Sequence, residues 1–92
     1  AVLTDRDGDW GARAAAARAL GALKSPEAVE PLASVLNDTS AHVRQMAVIS
    51  LGQIGLGSEK ATAALEMAAR SDSDTAVRFS AAESLRRIGQ PR

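Results

Sequence analysis

Apolar residues recur at helical spacing in three segments of this chain. In residues 41–54, Val43, Ala47, Leu51 and Ile54 fall at i, i+4, i+8 and i+11. Val77, Ala81, Leu85 and Ile88 repeat the pattern in residues 75–88, and Ala12, Ala16, Leu20 and Leu23 in residues 10–23. Such a column is one face of an amphipathic helix. It predicts three helices, termed B, each turning this column toward the stack. A second kind of helix, termed A, is predicted over residues 26–37, where Val29, Leu32, Val35 and Leu36 share a face. Residues 59–70 echo it 33 positions later, Leu65 matching Leu32.

Start and stop signals agree. Ser25 and Ser58 precede the A helices, and Asp9, Ser40 and Asp74 precede the B helices, all favoured N-cap types. Pro26 suits the first helical position, where a missing N–H costs nothing. Pro31 falls inside the first A helix and is expected to bend it, whereas Ala64 in the same column leaves the second straighter. Gly55, Gly57 and Gly89 follow B helices, as helix-ending glycines do. Gly21 and Gly52 lie within the last turns. Glycine there weakens a helix, which suggests that a neighbouring helix comes close.

The segments are copies of one unit. Asp7-x5-Arg13, Asp38-x5-Arg44 and Asp72-x5-Arg78 share one spacing, and the arginines stand 31 and then 34 residues apart. A period in this range marks an all-α solenoid, in which each unit buries its apolar face against its neighbours. The order is B, A, B, A, B, with units of roughly 1–23, 24–55 and 56–92. Residues 1–5, Ala-Val-Leu-Thr-Asp, resemble Ser-Val-Leu-Asn-Asp at 34–38, so the chain is expected to be a fragment of a longer solenoid.

With these residues in place, the chain resembles the HEAT repeat family, and more narrowly the short HEAT-like repeats of phycobilin lyase subunits. The carrying motifs are Ala-Val-Glu-Pro-Leu at 28–32, Asp-x5-Arg with Val43 and Val77 before the arginine, and Ala-x3-Leu-Gly at 16–21 and 47–52. The resemblance implies a right-handed α–α superhelix of about two and a half helical hairpins. It also implies that Asp7, Asp38, Asp72, Arg13, Arg44 and Arg78 form a structural ladder, pairing within or between adjacent repeats. Physical chemistry points the same way, since an arginine beside an apolar column needs a carboxylate or carbonyl partner. The first copy departs from the pattern. Ala12 replaces the valine before Arg13, and Trp10 either fills the missing bulk at the end of the stack or contacts a partner.

Composition narrows the rest. Ninety-two residues make at most one domain, and the core is built from small parts: alanine fills 20 positions, and Trp10 and Phe79 are the only aromatics. Net charge is zero, with eleven basic and eleven acidic residues, so the basic excess of a nucleic-acid binder is lacking. Arg86, Arg87 and Arg92 cluster late in the chain. Two of them fall in a last helical turn, where they complement the helix dipole; a phosphate-binding patch is the alternative. With no cysteine, disulfides and Cys-based zinc sites are excluded and the compartment stays open, the cytoplasm being the default. No apolar stretch reaches the ~20 residues needed to cross a bilayer.

No catalytic, metal or cofactor site is expected. His42 is the only histidine and reads as a solvated residue in the first turn of a B helix. Gly55-Leu-Gly57-Ser-Glu-Lys60 lacks the phosphate-loop spacing and reads as a turn. Function is expected on the B-helix face, in columns that vary between copies: Ala14, Gln45, Phe79; Arg18, Ile49, Glu83; and Ala22, Gln53, Arg87. These positions are read as free of stacking duty. Ile49 and Phe79 are candidate apolar anchors, with Arg18, Gln45, Glu83 and Arg87 as polar contacts to a protein partner; alternatively, Phe79 folds over a neighbouring helix. The expected function is a non-catalytic interaction scaffold. The alternatives are a domain of a phycobilin-lyase-like enzyme presenting a tetrapyrrole or protein substrate and, less favoured, a nucleic-acid-binding domain. Self-association through exposed terminal repeats is also expected.

Overall fold

The structure, a computed structural model, describes residues 10–54 and 58–89. They form five α-helices: α1 (Trp10–Leu23), α2 (Val29–Val35), α3 (Ala41–Ile54), α4 (Glu59–Ser71) and α5 (Thr75–Gly89). A 3-10 turn, Pro26–Ala28, leads into α2. Helices α1, α3 and α5 are the B helices and make one layer; α2 and α4 are the A helices and cover its other side. The most extensive contacts join α1 to α3, α3 to α5 and α4 to α5, whereas α2 and α4 touch sparsely. The result is an elongated slab of 47 × 26 × 16 Å.

Local chemistry sets the boundaries. The Ser58 hydroxyl accepts from Ala61 N–H at 3.1 Å, and Ser25 from Glu27 N–H at 3.3 Å. Asp74 Oδ1 accepts from Ala76 and Val77 N–H at 2.8 and 3.2 Å. Each bond satisfies a donor that a helix start leaves unpaired. The first A helix differs from expectation. Pro31 is the third residue of α2, where its missing donor has no intrahelical partner in any case, and the irregularity lies upstream in the 3-10 turn. A proline ring opposes the carbonyl four residues before it, here Glu27, and tightening residues 26–28 to 3-10 geometry avoids that clash. At the end of α1, Lys24 has φ 55° and donates to the Gly21 carbonyl at 3.1 Å. A lysine thus occupies the left-handed position that glycine usually takes.

The core runs between the layers. Leu32, Val43, Ala47, Val48, Leu51, Ala61, Leu65, Val77 and Ala81 are all fully buried. The apolar columns of α3 and α5 turn inward as their spacing predicts. The column of α1 does not: Ala12 and Ala16 are exposed, and so is Leu23 at 69%. The buried side of α1 is Ala14, Ala17 and Gly21, which faces α3. Helices α2 and α4 cover the columns of α3 and α5, whereas of the α1 column only Leu20 packs against the core. The proposed helix tail at residues 1–5, the cap Asp9, and Gly55, Gly57 and Arg92 lie outside the described residues.

Small residues set the distance between B helices. A Cβ on Gly21 would stand 2.5 Å from Ser50 Cβ, and one on Gly52 would stand 2.7 Å from Ser84 Cβ and 3.2 Å from its Cα. At this separation the buried Ser50 hydroxyl donates to the Ala17 carbonyl at 2.8 Å, and the buried Ser84 hydroxyl to the Val48 carbonyl at 2.9 Å. Each serine satisfies its polar group on the preceding B helix, as burial requires. Gly52→Ala should therefore lower stability by ~1–3 kcal/mol through overpacking, although alanine is intrinsically the better helix former by about 1 kcal/mol. Gly11→Ala, where nothing lies within 4 Å of the added carbon, should be neutral or stabilising. Urea unfolding of the two variants checks the sign.

Candidate functional site

The repeated Asp and Arg residues form rungs that run forward along the stack. Arg13 donates from Nε to Asp38 Oδ2 at 2.7 Å and from Nη2 to Asp38 Oδ1 at 3.0 Å. One repeat on, Arg44 grips Asp72 in the same way at 2.9 and 3.2 Å. The two-pronged geometry matches the fork of the guanidinium to the carboxylate. Arg44 also donates from Nη1 to the Asp38 carbonyl at 2.8 Å, and Arg78 repeats this bond to the Asp72 carbonyl at 2.7 Å. Each aspartate in turn accepts from the backbone two residues on, Asp38 from Ser40 and Asp72 from Asp74, both at 2.9 Å. One side chain thus shapes the A-to-B turn and receives the arginine of the preceding repeat. The corresponding partner position Asp7 lies outside the described residues.

Both carboxyls titrate below their ordinary value of 3.8. For Asp38 the largest cause is the hydrogen bond from Arg13, which outweighs burial. For Asp72 the largest single effect is burial, which raises the pKa; the bonds from Arg44 and Asp74 N–H, with the charges of Arg44 and Arg78, together overcome it.

The candidate partner-binding residues divide into two groups. Arg18, Gln53 and Arg87 are exposed on the B layer, and Ile49 and Glu83 are half-buried there. His42, Met46, Ile49 and Gln53 follow one stripe of α3, and Arg18 shares a shallow concavity of about 150 Å³ with His42 and Met46. Glu83 is paired with Arg86 at 2.6 Å. The column Ala14, Gln45, Phe79 is different. Ala14 is 5% exposed, against α3, and Gln45 Nε2 donates to Ser80 Oγ of α5 at 2.9 Å. Ala14 and Gln45 therefore do have stacking duty, because this column points to the following B helix. Phe79 occupies the same column in α5 and is 67% exposed.

Two further expectations are corrected. Trp10 is not core filler: it is 46% exposed, with its ring edge-on to His42 at a centroid distance of 5.3 Å. His42 is exposed but packed against that ring rather than simply solvated. Sequence reasoning missed the Ser50 and Ser84 contacts, although both serines stand in one register two places before the glycine column. It also missed a groove of about 460 Å³ between α2 and α4, floored by Ala33, Ala63, Ala64 and Ala68 and edged by Leu36 and Met67. Alanine side chains at those positions leave the space between the A helices unfilled. Among the described residues, no group of three or more His, Asp or Glu side chains could hold a metal ion, and no helix is long and apolar enough to cross a membrane.

Comparison with known proteins agrees with this architecture. The sequence model of a family described as HEAT repeats matches residues 1–91. Over 48 residues, 52% of this chain, the sequence is 48% identical to the phycocyanobilin lyase subunit alpha of Synechococcus elongatus. The match spans 18% of that relative's length.

The Arg44–Asp72 side chains are 13% and 8% exposed, against 30% and 14% for Arg13–Asp38. Arg44→Ala, which strands a buried carboxylate, should cost ~3 kcal/mol, and Arg13→Ala nearer ~1 kcal/mol, both read by urea unfolding. Because the folded carboxyls have depressed pKa values, their contribution is complete above the unfolded value of about 3.9. It is lost as pH falls through the folded values. Thermal stability should thus drop as pH falls below about 4, and less steeply in Asp38→Asn.

Proposed function

The chain belongs to the HEAT repeat family, and on that premise we propose that it is a scaffold that binds a protein partner across its B-helix layer, without catalysis of its own. The supporting observation is a contrast within one chain. Positions that pack the stack are repeated: Val43 and Val77, Ala47 and Ala81, Ser50 and Ser84 are all buried. Positions on the open side of the same helices are not repeated: Arg18, Ile49 and Glu83 stand in one column, Ala22, Gln53 and Arg87 in the next. A surface free of packing duty can be shaped for a partner.

Ile49 is the apolar centre of this patch, with Arg18, Gln53, Glu83 and Arg87 as its polar surround. A few apolar anchors ringed by polar groups carry most of the energy of protein interfaces. Gln45 contributes at most through its amide edge, since it is bonded to Ser80. Phe79 lies at the C-terminal border of the patch.

A second reading rests on the similarity to a phycocyanobilin lyase subunit. In that case the solenoid is part of a larger enzyme and presents a tetrapyrrole or a protein substrate, the apolar groove between α2 and α4 being the first place to look for a planar ligand. Added phycocyanobilin should then change its absorbance on mixing with the chain, and Met67→Asp should abolish the change.

The scaffold reading predicts that Ile49→Glu removes a partner captured from lysate of the organism that encodes the chain, while circular dichroism shows the variant still folded. A centrally placed anchor should cost at least about 2 kcal/mol, roughly thirtyfold in affinity. Equal capture by wild type and Ile49→Glu would exclude this face.

A further inference from the structure

The Arg44 rung has a backward half and a forward half. Arg44 bonds backward to the Asp38 carbonyl and forward, through Nε and Nη2, to the Asp72 carboxylate. Arg78 keeps the backward half, from Nη1 to the Asp72 carbonyl at 2.7 Å. Its forward half is different: Nη2 donates to Thr75 Oγ1 within its own helix at 3.1 Å, and among the described residues no carboxylate pairs with its guanidinium. The Asp72 carboxylate is gripped by Arg44 instead, and Arg78 takes only the Asp72 backbone carbonyl. The same side of α5 differs from α1 and α3 in a second respect. Arg86 occupies the column that holds Gly21 and Gly52. A bare Cβ in that column would stand 2.7 Å or less from the facing serine Cβ of a B helix at the usual distance, so Arg86 bars a further helix packed as tightly as α3 on α1.

We infer that the outer side of α5 is a receptor for a single carboxylate side chain carried by an acidic peptide segment of a partner protein. Arg78 takes that carboxylate on its Nε–Nη2 edge, as Arg13 and Arg44 take Asp38 and Asp72. The forward edge continues an interface that the chain builds twice, and in both cases the occupant is an aspartate. The segment approaches without a close-packed helix, because Arg86 keeps it away. This site is separate from the Ile49 patch and does not depend on it.

The test uses the full chain with 15N-labelled arginine and follows the Nε–Hε signals by NMR. The probe is acetyl-Ser-Asp-Ser-Asp-amide, the sequence of the chain's own receiving turn at 71–74; the controls are the Ser-Asn-Ser-Asn peptide and inorganic phosphate. The expected result is a saturable shift of Arg78 at millimolar peptide, with Arg13 and Arg44 unmoved and no response to the asparagine peptide. Arg78→Lys, which keeps the charge but loses the fork, should weaken binding several-fold, and Ile49→Glu should leave it unchanged. An unmoved Arg78 signal overturns the inference. So does a non-saturating shift shared with Arg18, Arg70 and Arg87, which marks unspecific charge attraction, and so does phosphate acting as well as the peptide, which marks a general anion site.

Discussion

The structure depends on how closely one B helix approaches the next. Gly21 and Gly52 remove the side chain at the crossing, and Ser50 and Ser84 use the resulting proximity to reach backbone carbonyls of the preceding helix. The separation fixes the rest. It lets Val48 and Ala17 bury completely or nearly so. It also brings Arg13 and Arg44 within two-pronged reach of the aspartate one repeat ahead. A chain whose core is largely alanine cannot rely on bulky interdigitation, so short contacts and satisfied polar groups make up the difference.

Much of this was legible in the sequence, for reasons that can be stated residue by residue. Ser25, Ser58 and Asp74 mark helix starts because only certain side chains satisfy the unpaired N–H groups there. Gly21 and Gly52 pointed to a close approach because a glycine inside a helix otherwise costs stability. What helical periodicity cannot supply is the identity of the neighbour. Helix α3 has four of them: the A helices α2 and α4, the preceding B helix α1 and the following one, α5. The column Ala14, Gln45, Phe79 looked open because it varies, yet Ala14 and Gln45 face the following helix. The direction of the rungs was likewise hidden, since Asp-x5-Arg spacing is compatible with pairing inside one repeat.

Pro31 and Trp10 show a different limit. A proline's effect depends on where its helix begins, and the 3-10 turn at 26–28 moved that start downstream. For Trp10 the sequence left core filler and partner contact both open, and the structure shows it leaning on His42 at the surface. Functional reading meets the same boundary. The solenoid is a repeated packing solution, and the proposed Ile49 patch and the open edge of Arg78 stand out only once the packed positions are known.

The central claim is that glycine and serine meet as a matched pair across the B-helix crossing. A double-mutant cycle between Gly52→Ala and Ser84→Gly, measured by urea unfolding, tests it most directly. The account predicts that removing the Ser84 side chain recovers most of the loss caused by Gly52→Ala, a coupling of at least about 1 kcal/mol. Simple additivity of the two changes would contradict it and would mean that something other than this contact sets the spacing of the stack.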